Sequence, residues 1–267
     1  MDRKFELQAE QYQFPYHYLV DLNQKTFGRS LGWGLDYLTY MKKVASLAAK
    51  YVDQDVLDLG CGDGFLLHHL ARNGLIGPEV DAVGIDIDEK PIKFAQAFAH
   101  EFPNVSYRAE DIANYDRTFG LITIVETFEH LSDDLINTFV GHVDRLLRKE
   151  GILVVSVPSK ARPVLDKHYR HYDLDMLRGY FPGYELREAH YMTDRSSPVY
   201  HFVSTLLCHR HFSLNAGPIG RALLWLHERF SSESTAERGA HIVAVFRKSP
   251  STACGDYSER PARRAAV

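Results

Sequence analysis

From residue 55 onward, short apolar runs alternate with segments whose apolar positions recur at helical spacing. Val56–Leu59, Ala82–Ile87, Val105–Ala109, Leu121–Val125 and Ile152–Val157 read as strands, and Tyr184–Tyr191 as a sixth. Helices are predicted between them, over about 64–73, stopping at Gly74, and over about 89–101, with Pro91 in the first turn, where a missing N–H costs little. The plainest helix follows Ser132, a predicted N-cap. Asp133 and Asp134 occupy its first turn, Leu135, Ile136, Phe139, Val143, Leu146 and Leu147 form one apolar face, and Arg148 and Lys149 close it before Gly151. Upstream, Leu38, Met41, Val44, Leu47 and Ala48 mark a helix of about Trp33–Tyr51. This rhythm implies βαβ units: an α/β, Rossmann-like, mostly parallel sheet with helices on both faces.

The alternation breaks over 193–238, which holds Tyr200–Leu207 and an amphipathic Pro218–Phe230, and His241–Phe246 supplies a final, seventh strand. Three units are therefore expected: an N-terminal helical cap over 1–50, the main domain over 51–248 with the 193–238 insertion before the last strand, and a disordered tail over 249–267. The cap (Tyr12, Phe14, Tyr16, His17, Trp33) and the insertion (Tyr200, His201, Phe202, Trp225) are aromatic enough to form a substrate lid or a second apolar cluster. A homodimer contact is the other use for such surfaces. Arg221 and Arg229 around Leu223, Leu224 and Leu226 also leave peripheral membrane contact open.

Composition narrows the function more than the fold. The 267 residues carry a formal charge of −4 with both signs interspersed, which disfavours a nucleic-acid partner. Cys61, Cys208 and Cys254 form no disulfide framework and fit a reducing compartment. With no signal-like N-terminus and no apolar run of about 20 residues, a cytoplasmic location is expected.

Candidate chemistry starts where the first strand runs into Gly60-Cys61-Gly62-Asp63-Gly64. Glycines permit positive φ and close approach of a ligand, and nucleotides bind at strand ends beside a switch point. About 22 residues beyond Gly64, Asp86 ends the second strand, where an acid can accept from ribose hydroxyls. A dinucleotide fingerprint would need glycine where Phe65 stands, and Asp63 is unfavourable beside a pyrophosphate.

The GxGxG pattern resembles the first motif of class I S-adenosylmethionine (SAM)-dependent methyltransferases, and the resemblance covers about residues 50–192 plus the last strand. It implies SAM as cofactor and Gly60, Gly62, Gly64 and Asp86 around it. Asp111 would meet the adenine amine, with Ile112 offering a backbone N–H. Asp58, Ile87 and Glu126 are counted in the same cofactor-binding set. Glu126-x-x-Glu129-His130 is similar to the "E..EH" segment of the family's small-molecule branch, which implies a small-molecule acceptor methylated at oxygen, such as a secondary metabolite or glycan precursor. Histidine suits proton transfer near neutral pH, so His130 and His171 are the candidate catalytic bases; local hydrogen bonding within their turns is the competing reading. Glu126, Glu129, His130 and His171 together form a possible divalent-metal set, as in metal-assisted methylation of a catechol-like or RNA 2′-hydroxyl. Cofactor competence alone would also suit a non-catalytic SAM-binding protein.

Overall fold

The computed structural model describes residues 3–9, 34–52, 55–208 and 217–250. Most of the N-terminal aromatic segment, residues 209–216 and nearly all of the predicted tail lie outside the described residues.

Residues 55–59 are buried throughout because β1 (Asp55–Leu59) is an interior strand of a seven-stranded sheet, covered on both faces. Alternation along it feeds two cores. Val56 faces a layer with Val44, Leu47 and Ala48 of α2 (Gly34–Tyr51), α3 (Phe65–Arg72) and α4 (Glu89–Ala99). Leu57 and Leu59 face Ile136, Val140 and Val143 of α5 (Asp133–Leu146) and Leu177 of α6 (Leu174–Tyr180).

β2 (Asp81–Asp86) and β3 (Val105–Ala109) extend the sheet on one side of β1; β4 (Phe119–Val125) and β5 (Leu147–Pro158) extend it on the other, all parallel. The chain thus reverses direction across the sheet between β1 and β4, creating a crevice at their carboxyl ends. β7 (Gly239–Lys248) runs antiparallel between β5 and β6 (Tyr184–Asp194), giving the order β3-β2-β1-β4-β5-β7-β6. This register sets His241 opposite Pro158, the last residue of β5.

Two local differences from the sequence pattern have identifiable causes. Helix α5 ends at Leu146 rather than at Lys149, because Arg148 leaves to bond Asp55 at 2.5 Å and Leu147 starts β5. Ser132 stands at the cap position but its side chain makes no capping bond; its carbonyl receives the Ile136 N–H instead. At α6, by contrast, the Asp173 carboxylate accepts the Met176 N–H at 2.8 Å.

The insertion forms two helices, α7 (Pro198–Leu207) and α8 (Gly217–Phe230). Tyr200, Val203 and Leu223 close a small third core on Leu35 at the start of α2. Polar bonds lock the same joint: Thr39 Oγ1 and His227 Nε2 lie 2.7 Å apart, and Tyr200 donates to Asp36 Oδ1 at 3.1 Å. A short helix α1 (Arg3–Ala9) reaches the other side of the cleft, where Lys4 donates to the carbonyls of Asp166 (2.8 Å) and His168 (2.6 Å).

Candidate active site

The bend after β1 is built for close packing. Gly60, Gly62 and Gly64 have φ of 71°, 52° and 78°, in the left-handed region that glycine alone enters freely. A Cβ on Gly60 would overlap the Thr127 side chain, and one on Gly64 would meet the Tyr107 ring and Ala95. The bend is tied to the neighbouring strand by Gly60 N–H to Ile85 O (2.8 Å) and by the Asp86 carboxylate. Its Oδ2 accepts from Gly62 N–H and its Oδ1 from Asp88 N–H, both at 2.9 Å. Burial lifts the Asp86 pKa above the ordinary value, against those two backbone donors.

Ile87, immediately after it, is 66 % exposed, an apolar side chain open to solvent beside a half-buried acid. Asp111 lies just past the end of β3, whose Ala109 pairs with Asp86. Its Oδ1 caps a 3-10 turn over Ile112–Asn114 through Ala113 N–H (2.9 Å), and the residue is exposed. The two acids expected to flank an adenosyl group thus share one sheet edge with the glycine bend. Asp58 is placed differently. It is buried within β1, Thr123 donates to it at 2.6 Å, and burial lifts it to about 7, so its hydrogen bond ties β1 to β4. Burial, reinforced by Asp58 and Asp86, pushes the Cys61 thiol well up, which keeps it in the unreactive thiol form.

At the end of β4, Glu126 adopts a left-handed φ of 50°, unusual for a residue with a side chain. Ser156 donates to its Oε1 at 2.8 Å, and His241 Nε2 stands 3.4 Å from Oε2. Burial opposes its ionisation, but His241, Ser156 and Arg162 outweigh that and hold it below the usual range. Glu129 has the opposite fate: burial and the Glu126 charge push its pKa well up, and its Oε2 is buried with no partner among the described residues.

The histidines form a chain whose tautomers follow from their partners. His130 Nδ1 faces the Lys167 carbonyl (3.3 Å), so it carries the proton and Nε2 keeps a lone pair, 3.8 Å from Glu129 Oε1. His171 Nδ1 donates to the Arg162 carbonyl (3.0 Å), so its Nε2 accepts from His168 Nδ1 (2.9 Å), leaving a lone pair on His168 Nε2. Burial first, then Lys167, holds His130 down at about 4; burial and His130 hold His168 at about 2. Both imidazoles are therefore neutral at pH 7.

Donor atoms of Glu129, His130 and His168 lie within 4.8 Å of one another. The expected quartet is thereby rearranged. His168 takes the place of His171, whose two nitrogens are both engaged, and Glu126 turns to His241 and Ser156. Nothing in the alternation of strands distinguished His168 from its neighbours; the only signal was its spacing of three from His171.

A second polar group was not legible at all. Asp36, 2 % exposed, receives Arg195 through Nε at 2.8 Å and through Nη2, while Arg162 Nη1 reaches the same carboxylate only at 4.0 Å. Arg162 Nη1 instead lies 3.0 Å from His241 Nε2. The His241 ring lies 4.7 Å from that of Tyr40, and Tyr40, Tyr37 and Phe65 follow one another edge to face at 5.6 and 5.4 Å.

Residues 52–180 match the family model of a methyltransferase domain. Over 114 residues the chain is 37 % identical to the ubiquinone biosynthesis O-methyltransferase of Mesorhizobium japonicum, a match covering 41 % of this chain and 43 % of that one. It is 35 % identical over 100 residues to the cyclopropane-fatty-acyl-phospholipid synthase of Escherichia coli, covering 38 % and 25 %. The chain thus spans less than half the length of these relatives. Among solved structures, magnesium protoporphyrin IX methyltransferase from Synechocystis superposes with a TM-score of 0.58 at 16 % identity, over 93 % of this chain and 98 % of that one. The N-methyltransferase NodS from Bradyrhizobium japonicum gives 0.58 at 15 %, over 92 % and 99 %; both share the fold.

Proposed function

We propose that this chain, whose residues 52–180 match a methyltransferase domain, is a class I SAM-dependent methyltransferase that binds SAM in the crevice at the carboxyl ends of β1 and β4, beside the end of β2, and transfers its methyl group to an oxygen of a small molecule. The observation that carries the reading is the glycine bend clamped to Asp86 through Gly62, with exposed Ile87 beside it. In this assignment Gly60, Gly62 and Gly64 let the ligand approach the backbone, Asp86 accepts from the ribose, Ile87 covers one face of the adenine, and Asp111 and Ile112 meet its edge. Asp58 and Glu126 support the bend and the adjoining strand end.

When bound, the cofactor supplies a methyl group already activated on a sulfonium, so the protein's task is alignment and removal of the acceptor's proton. His130 Nε2, the lone pair facing the buried Glu129, is the base in this reading, and His171 positions His168. The insertion and the N-terminal cap cover the acceptor, as the shared core of Leu35, Tyr200, Val203 and Leu223 suggests. Among the described residues no disulfide forms, in keeping with a cytoplasmic, reducing setting, and no helix is long and apolar enough to cross a membrane. Calorimetric titration tests the assignment: SAM and S-adenosylhomocysteine should bind and NAD should not, and the reverse order would overturn it.

One observation favours a metal-assisted variant. An imidazole held at about 4 is a weak general base near neutral pH, whereas neutral His130 and His168, each with Nδ1–H anchored and Nε2 open, are in the form that binds a cation. The orphaned Glu129 Oε2 adds an oxygen donor, so the residues fit a divalent ion, which would lower the pKa of a bound hydroxyl. Full activity after exhaustive EDTA treatment, with no metal found in the purified protein, would remove this variant.

A further inference from the structure

We infer that the acceptor carries an anionic oxygen group, a carboxylate or its equivalent, and that Arg162 is the residue that takes it, positioned by His241. The inference rests on the methyltransferase reading and adds the charge of the acceptor to it.

Arg162 leaves the loop after β5 at the carboxyl edge of the sheet, on the same side as Glu126 and the histidine chain. Its side chain is only 17 % exposed, yet its one ion pair among the described residues is a long contact with Asp36. The nearest, Asp36, is already occupied by Arg195 at hydrogen-bond distance, and Arg162 reaches it at 4.0 Å. Glu126, which the Arg162 charge helps to hold ionised, takes the Ser156 hydroxyl at Oε1 and makes no ion pair with Arg162 among the described residues. Burial, then the like charge of Arg195, disfavours the guanidinium, and Asp36 and Glu126 offset this only in part. A largely desolvated cation whose nearest carboxylates are engaged by other groups is incompletely compensated, and such groups persist where a ligand supplies further negative charge.

The single hydrogen bond that Arg162's guanidinium makes among the described residues fixes its direction. A guanidinium only donates, so at 3.0 Å His241 Nε2 accepts, and with its lone pair so engaged it does not donate to Glu126 Oε2, 3.4 Å away. His241 is 3 % exposed on β7 against the Tyr40 ring and has little room to turn. One Nη1 hydrogen is thereby anchored, and the remaining N–H groups of the planar fork are available to a carboxylate, which guanidinium binds bidentately. Tyr40, Tyr37 and Phe65 next to this group suit a flat apolar body attached to that anion.

Two probes of like shape test this on protein saturated with S-adenosylhomocysteine: 3,4-dihydroxybenzoate and the uncharged 3,4-dihydroxybenzyl alcohol, titrated calorimetrically. The carboxylate should bind at least about tenfold more tightly, the margin expected of a charge-assisted pair in a desolvated site. Arg162→Gln should erase the difference, Arg162→Lys should restore part of it, and both should leave S-adenosylhomocysteine affinity within about twofold, since no cofactor contact changes. His241→Gln, which keeps an acceptor near the Nε2 position, should retain more of the preference than His241→Phe; equal loss in both would indicate a purely structural histidine. Equal binding of the two probes, no binding of the carboxylate, or an unchanged preference in folded Arg162→Gln would each overturn the inference. Failure of S-adenosylhomocysteine itself to bind overturns the methyltransferase reading separately, and the carboxylate titration on ligand-free protein still decides the role of Arg162.

Discussion

Replacing Asp86 probes both the structure of the bend and its use. In Asp86→Ala the Gly62 and Asp88 N–H groups lose their carboxylate acceptor, each now at 2.9 Å. Leaving partly buried donors unpaired should cost folding stability about 1–3 kcal/mol. Cofactor affinity should fall further, because the same carboxylate is assigned to the ribose. A charge-assisted bond of this kind is worth about 2–3 kcal/mol, or about 30- to 150-fold in Kd. Asp86→Asn separates the two effects. Its single amide oxygen can keep one backbone donor, but its NH2 must face the other, so SAM binding should stay weak while part of the stability returns. Calorimetric titration with SAM and urea unfolding of each variant give the two numbers. Because burial raises the Asp86 pKa, affinity should also begin to fall at a higher pH than an ordinary carboxylate near 3.9 would produce. A folded Asp86→Ala protein that binds SAM within about threefold of the parent would refute the assignment of this site, since no ribose hydrogen bond could then be at stake.

Three further outcomes follow from the geometry. Gly60→Ala must hold a Cβ at φ 71° against Thr127, so it should lose at least about 1 kcal/mol and widen the bend, seen as a lower Tm together with weaker SAM binding; an unchanged Tm would show that Thr127 moves freely. Lys248 donates to the Asp144 and Leu147 carbonyls and lies 3.1 Å from the buried Asp144 Oδ1, so Lys248→Ala should destabilise by about 3–5 kcal/mol in denaturant titrations, and a loss below about 1 kcal/mol would show that the buried pair contributes little. His130 is held at about 4 in the folded chain against 6.5 when free, so the unfolded chain takes up the proton first. Stability should be complete above about pH 6.5 and decline toward pH 4, by up to roughly 3 kcal/mol, and a His130→Asn variant should show a flatter profile over that window; parallel profiles would place the titration elsewhere.

What could be determined from the chain alone was whatever is encoded locally. Strand and helix periodicity, the glycine run after β1, and Asp86 one strand further on specify the crevice, because backbone conformation and strand order follow from neighbours in sequence. The constellation beside that crevice is another matter. His168, Arg162, His241 and Asp36 come from two loops or strands and a helix up to about two hundred residues apart, and only the antiparallel seating of β7 beside β5 brings His241 to Pro158 and Glu126. The sequence offered His130 and His171 as equals, since a histidine's spacing reveals neither its tautomer nor its burial. Tertiary packing separated them by occupying both nitrogens of His171 and leaving Nε2 of His130 open. Charge state was decided in the same way: Glu126 and Glu129, three residues apart in one motif, diverge because one meets His241 and Ser156 while the other is enclosed without a partner.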